Sequence, residues 1–221
     1  MIMYKLAVFD MDGTILNTLD GLANSTNYAL ARCGMPTHGV EAYKAFVGSG
    51  VYQMIERALP ENERTKENVE RIVAVFREHY RVNSIANTKH YGDLPEVLQK
   101  LKDAGVVLAV ASNKPPEFGR MYADHFFGEG FFDCVMGPSV DIPPKPEPKM
   151  LFEAIRRCGA VPEKTCYFGD SDIDIMTGVN AGVATAGVAW GFRPESELMA
   201  AGASRILHKY DEILDFVGVG S

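Results

Sequence analysis

The sequence has no run approaching eighteen consecutive apolar residues, so it offers no candidate for a membrane-spanning helix. Its first apolar stretch is too short for a signal peptide and runs straight into Asp10. Positive charge is scarce: 22 Lys and Arg stand against 29 Asp and Glu, a formal net charge of −7. That balance argues against a nucleic-acid or anionic-membrane partner. Any phosphate-bearing ligand must then be met by local cations or a metal ion. Cysteine is sparse too, and Cys33, Cys134, Cys158 and Cys166 form no C-x-x-C pair or other metal spacing. The five histidines show no ligand spacing, and no internal repeat or low-complexity segment is present. What remains is 47% hydrophobic and 23% charged, the balance of an ordinary globular chain. A length of 221 residues suits one large domain, or a domain carrying a substantial insertion. The expectation is a cytoplasmic protein with reduced cysteines, monomeric or homodimeric, with no nucleic-acid or membrane partner.

The most informative stretch is Lys5-Leu6-Ala7-Val8-Phe9-Asp10-Met11-Asp12-Gly13-Thr14. A continuous apolar run bounded by turn residues suits a strand buried on both faces of a parallel sheet. This one stops in two carboxylates spaced i, i+2. Like charges about 4 Å apart repel by roughly 4 kcal/mol at an effective dielectric near 20. A cation or a shared proton must settle that conflict. An Asp/Gly/Thr turn closing a strand is the plain alternative. An EF-hand is excluded, because its Gly and Glu positions hold Ile15 and Gly21.

Past this strand, about seventy residues carry only helical signals. They fall at Leu19–Cys33, Glu41–Val47, Val51–Leu59 and Lys66–Val82, with Gly48-Ser49-Gly50 as a break. From Tyr91 the rhythm becomes strand and helix in alternation. Strands are expected at Val106–Ala111, Asp133–Met136, Thr165–Phe168, Val183–Trp190 and Ser204–Leu207. This predicts an α/β protein: a Rossmann-like parallel sheet core over residues 1–16 and 87–221, with a helical cap subdomain inserted over 17–86.

Polar groups then gather at the ends of three separate strands: Asp10 and Asp12, Ser112 and Asn113, Asp170 and Asp174. Parallel strands share a direction, so all three clusters open on one rim, where open α/β sheets bind ligands. Lys145, between prolines, reaches the same rim from the loop before its helix. One ammonium cannot balance four carboxylates, and oxygen-only ligands with open positions favour Mg2+. The proline-rich Pro143–Pro148 read alone is a stiff loop, and Asp170–Asp174 read alone is a solvated helix start.

The four segments together resemble the haloacid dehalogenase-like phosphohydrolase superfamily over nearly the whole chain. Asp10-Met11-Asp12-Gly13-Thr14 is similar to its first motif, Ser112-Asn113 to its second, Lys145-Pro146-Glu147-Pro148 to its third, and Gly169-Asp170-Ser171-Asp172-Ile173-Asp174 to its fourth. Closer still, Phe46-Val47-Gly48-Ser49-Gly50, Ala111-Ser112-Asn113-Lys114-Pro115 and Trp190-Gly191-Phe192-Arg193 resemble the phosphoglycolate phosphatase-like group. Asn17 departs from it, where many relatives carry Asp.

The resemblance implies a Mg2+-dependent phosphatase for a small phosphomonoester, 2-phosphoglycolate among the candidates. Asp10 would be the nucleophile and Asp12 the acid and base. Ser112, Asn113 and Lys145 would bind the phosphoryl group. Asp10, the carbonyl of Asp12, and Asp170 would hold the metal, with Asp174 and Thr14 in support. The cap would exclude water, and Tyr43, Lys44 and Arg57 are its candidate substrate contacts. The alternatives are a sugar phosphomutase of the same superfamily and a non-catalytic binding module. The second would be expected to lack Asp10 or Asp12.

Overall fold

The computed structural model describes residues 3–219, and their contacts divide the chain into two units: residues up to Leu16 with His90 onward, and Asn17–Lys89. The first strand, β1 (Leu6–Phe9), is wholly buried, as its unbroken apolar run requires. The chain leaves this unit through the short strand β2 (Leu16–Asn17).

The second unit is helical. Helix α1 (Leu19–Arg32) packs along α4 (Lys66–Asn83), burying Leu22, Ala23 and Leu30 on one and Ile72, Phe76 and Tyr80 on the other. Between them lie α2 (Tyr43–Phe46) and α3 (Val51–Ala58). Gly48, Ser49 and Gly50 form the turn joining α2 to α3, which Arg57 closes by donating to the Phe46 carbonyl (3.0 Å) and Ser49 Oγ (2.9 Å). Asn17 Oδ1 accepts from the Leu19 N–H at 3.3 Å and so serves the start of α1. The expected return at residue 87 falls three residues before the observed one. Asn87 and Thr88 are hydrogen-bonded back to the Asn83 and Ser84 carbonyls at the end of α4, which keeps them in the helical unit.

The chain re-enters the first unit at β3 (Lys89–His90) and then alternates. The elements are α5 (Leu94–Asp103), β4 (Val107–Ala111), α6 (Pro116–Phe127), β5 (Cys134–Met136), α7 (Lys149–Arg157), β6 (Thr165–Gly169), α8 (Asp172–Ala181), β7 (Ala184–Val188), α9 (Glu195–Ala200), β8 (Arg205–Leu207) and α10 (Glu212–Val217). The six-stranded sheet has the order β5-β4-β1-β6-β7-β8, with parallel pairing throughout. It is the Rossmann-like α/β arrangement the alternation predicts. The chain winds outward from β1 to β5, then crosses back to β6 on the other side of β1. That reversal is the topological switch point where such sheets bind ligands. Register sets Phe9 beside both Val110 and Phe168, so the three strands that end in polar residues are immediate neighbours. Phe9 and Phe168 stack at 4.8 Å on one face, while Tyr167 belongs to the core on the other with Leu6, Val8, Met150 and Leu151. Among the described residues no helix is long and apolar enough to cross a membrane.

Candidate active site

The rim begins where the ladder has one bond left to make. The Asp10 N–H donates to the Phe168 carbonyl (2.8 Å) and the Ser112 N–H to the Met136 carbonyl (3.1 Å). Backbone at these positions is therefore fixed by the sheet, and the side chains project from a rigid edge. Gly13 follows at φ +86°, and a Cβ there would meet Asp170 Oδ2 at 2.1 Å. Across the carboxylate, a Cβ on Gly191 would meet Asp170 Cβ at the same distance. Asp170 is thus enclosed between two backbones that only glycine lets so near.

Its oxygens are oriented individually. Thr14 Oγ1 donates to Asp170 Oδ1 at 3.1 Å and the Phe192 N–H to Oδ2 at 2.8 Å. Each oxygen keeps a lone pair for another partner. Asp174 is different. The Ser171 N–H and hydroxyl both donate to its Oδ2 (3.1 and 2.6 Å), completing a capping box at the start of α8. Its Oδ1 accepts from Lys145 Nζ and from the Tyr167 hydroxyl. With four donors on two oxygens, Asp174 is spent on positioning.

Lys145 is the hub. Its buried ammonium donates to Asp10 Oδ1 (2.7 Å), Asp174 Oδ1, the Ala111 carbonyl (3.1 Å) and the Tyr167 hydroxyl (3.0 Å). Burial alone would push its pKa down, but Asp10 and Asp174 outweigh that and hold it well above the usual lysine range. Asp10 is raised to about 6, chiefly by burial and then by the Asp174 charge, against the lowering pull of Lys145. Asp170 is also pushed up, by burial first and then by Asp174 and Asp10.

Carboxylate oxygens of Asp10, Asp170 and Asp174 lie within 4.8 Å of one another. Four carboxylates, counting Asp12, share the rim with two ammonium groups, Lys114 and Lys145. Two negative charges are left if all ionise. An all-oxygen donor set carrying that excess, on fixed and buried positions, fits a hard divalent cation. Asp10 and Asp170 have the free acceptor directions to hold one.

Four expected residues, Asn113, Tyr43, Lys44 and Arg57, are engaged within the protein. The Asn113 carboxamide, expected against phosphate, is engaged at both ends with the Lys145 main chain: Nδ2 to the carbonyl (3.3 Å), Oδ1 from the N–H (2.8 Å). It fixes the loop that carries Lys145. In the helical unit Tyr43 is fully buried and donates to Asn27 Oδ1 (2.7 Å), so it is a packing residue there. Lys44 pairs with Glu41, Arg57 closes its own turn, and Arg193 pairs with Glu197 at 3.0 Å. Ser112 is buried at the rim, with its Oγ accepting the Lys114 N–H at 3.4 Å.

Sequence reasoning missed Lys114 and Tyr167. Lys114 Nζ grips both oxygens of Asp12, at 2.8 and 3.0 Å. Its signal was present: it follows Ser112 by two residues as Asp12 follows Asp10, just past the end of a neighbouring strand. Tyr167 reads as one more apolar strand residue, and only strand alternation against Phe168 turns its hydroxyl toward Lys145.

A family model described as haloacid dehalogenase-like hydrolase matches residues 7–188. The phosphoglycolate phosphatase of Aquifex aeolicus is 32% identical over 188 residues, 85% of this chain and 86% of that one. That of Haemophilus influenzae strain Rd is 29% identical, covering 97% and 98%. A crystal structure from Lactobacillus delbrueckii subsp. bulgaricus, named as a candidate phosphoglycolate phosphatase, superposes with a TM-score of 0.92 at 33% identity, covering 98% and 99%. The chain therefore belongs to the haloacid dehalogenase-like hydrolase family, as a phosphoric monoester hydrolase of its phosphoglycolate phosphatase-like group.

Proposed function

We propose that the chain is a cytoplasmic, Mg2+-dependent phosphatase, monomeric or homodimeric, that hydrolyses a small phosphomonoester through an aspartyl phosphate on Asp10. 2-Phosphoglycolate, the substrate named for the relatives, is the leading candidate. The observation that carries the reading is the setting of Asp10: a buried carboxylate on a rigid strand end, 2.7 Å from a buried ammonium and beside a second carboxylate fit for metal.

An oxygen of Asp10 attacks phosphorus, and the bond from phosphorus to the ester oxygen breaks. Asp12 supplies the proton that leaves with the alcohol. Asp12 then takes a proton from water, which attacks phosphorus and breaks its bond to Asp10, releasing inorganic phosphate. Ser112 and Lys145 hold and neutralise the phosphoryl oxygens, while Asn113 fixes the loop under Lys145 and Asp174 fixes its ammonium. Asp10 and Asp170, with the Asp12 main-chain carbonyl, would hold Mg2+, which supplies charge neutralisation for the phosphoryl group. Thr14 supports Asp170. Most of the catalysis is positioning and electrostatics, as phosphoryl transfer demands.

The test is Asp10→Asn. The amide cannot form the acyl phosphate, so phosphate release from 2-phosphoglycolate should fall by roughly 10^4-fold or more while the fold persists. Near-normal release from the folded variant would remove Asp10 from this role. A phosphomutase would share the aspartyl phosphate but return the group to a sugar hydroxyl. Incubation with β-glucose 1-phosphate should therefore give free phosphate at most, without accumulation of glucose 6-phosphate.

A further inference from the structure

We infer that Trp190 is a positioning residue for the metal: it closes a ring of hydrogen bonds that fixes the aim of the Asp170 carboxylate. This deepens the Mg2+-dependent phosphatase reading and rests on it. Trp190 is the sole tryptophan of the chain, half-buried and two residues past the end of β7. Its indole Nε1–H donates to the Thr14 carbonyl at 3.0 Å. Thr14 is also the residue whose hydroxyl donates to Asp170 Oδ1, at 3.1 Å. Two residues beyond Trp190, the Phe192 N–H donates to the other oxygen, Oδ2, at 2.8 Å. The ring therefore runs from Asp170 through Thr14 and Trp190 to Phe192 and back to Asp170. It ties together the chain past β1, β6 and β7, three neighbouring strands of the sheet.

The loop bearing Thr14 is shaped from within. The Met11 carbonyl accepts the N–H groups of Thr14, Ile15 and Leu16 at 3.3, 3.1 and 3.0 Å. Those bonds fold the turn but do not set its distance from the chain past β7; the indole bond does. Without it the Thr14 main chain can draw away, taking with it the hydroxyl that aims Oδ1. On the other side, a Cβ at Gly191 would meet Asp170 Cβ at 2.1 Å, so the segment carrying Trp190 runs directly against the stem of the carboxylate. Tyr210 meets the indole edge to face, with centroids 4.8 Å apart and planes at 70°, and so holds the ring in place. An indole has one polar atom, a donor, and here it is spent on the Thr14 carbonyl. A tryptophan kept for packing would need only Tyr210. Groups that orient a ligand without touching the metal are typically worth about 10- to 100-fold in metal affinity.

Trp190→Phe keeps an aromatic ring against Tyr210 and removes the N–H. The Mg2+ concentration giving half-maximal thermal stabilisation should rise by about tenfold or more. At saturating Mg2+, kcat and KM for 2-phosphoglycolate should return to within about threefold of wild type, because Asp10, Ser112 and Lys145 are untouched. A second measurement needs no stable variant at position 190. Emission from the single indole of the wild-type protein should change as Mg2+ is added, saturating with the thermal stabilisation. Asp170→Ala should move that response to Mg2+ concentrations at least about tenfold higher. A half-saturating Mg2+ concentration in Trp190→Phe within about twofold of wild type would overturn the inference and leave the phosphatase reading standing, whatever the variant loses in unfolding temperature. Wild-type emission that stays constant while Mg2+ raises the unfolding temperature would do the same. If Mg2+ moves neither the emission, the unfolding temperature nor the turnover of the wild-type protein, both readings fall.

Discussion

At the scale of single residues, the site separates carboxylates that can take a cation from those that hold other residues. Asp170 has one hydrogen bond on each oxygen and stands beside Asp10. Asp172, two residues on, begins α8 outside the buried cluster, where its charge favours the helix N-terminus. Asp170→Ala should raise the Mg2+ concentration needed for half-maximal turnover by about tenfold or more, and strand the Thr14 hydroxyl and the Phe192 N–H at roughly 1–3 kcal/mol. Asp172→Ala should leave the Mg2+ requirement within about twofold and stability within about 0.5 kcal/mol. Titrating turnover against Mg2+ for both variants checks this, and equal shifts would remove Asp170 from the metal assignment.

At the scale of elements, one helix start does two jobs. The capping box of α8 satisfies the first N–H groups of the helix, and its Asp174 is also the carboxylate that fixes Lys145. Ser171→Ala removes both a cap and a donor to Asp174. It should cost about 1–2 kcal/mol in denaturant unfolding and lower kcat more than it raises KM, because the Lys145 ammonium loses its anchor. A KM effect alone would mean that the cap serves only the helix. Elements were the legible part of the sequence. The unbroken run Leu6–Phe9, the strand ending at Ala111 and the Gly169-Asp170 stop each named a strand by pattern and a rim by what followed. Harder to see was anything that depends on which side chain crosses from one strand end to another. Lys114 on Asp12 joins residues 102 positions apart, and Asn113 turned from the expected phosphate to the Lys145 main chain. Such pairings follow from strand order, in which β4 and β6 flank β1, and periodicity within one strand carries no record of its neighbours.

For the whole molecule, the net charge of −7 means that the field does not draw a phosphate in, so the site must supply its own positive charge. The ligand-free cluster is poorly balanced, and its titration shows in stability. Asp10, raised to about 6, and Asp170, raised in the same direction, bind protons more tightly folded than unfolded. Their contribution is fully present below the unfolded carboxylate pKa near 3.9 and is lost as pH rises through the folded values. A divalent cation binds the ionised carboxylates and stabilises the folded state, so protons and Mg2+ compete for one set of oxygens. The unit that carries the site should therefore gain more thermal stability from Mg2+ at pH 7.5 than at pH 5. Mg2+ at about 100 times its Kd contributes about 2.7 kcal/mol, roughly 5–10 °C for a unit of this size. At pH 5 the gain should shrink to a small fraction of that. Asp10→Asn removes one of the competing carboxylates, so it should both lower the gain at pH 7.5 and flatten its dependence on pH. Thermal unfolding with and without Mg2+ at the two pH values cancels every titration elsewhere in the chain, because those groups are common to both members of each pair. An Mg2+ gain as large at pH 5 as at pH 7.5 would show that the ion binds away from the buried cluster.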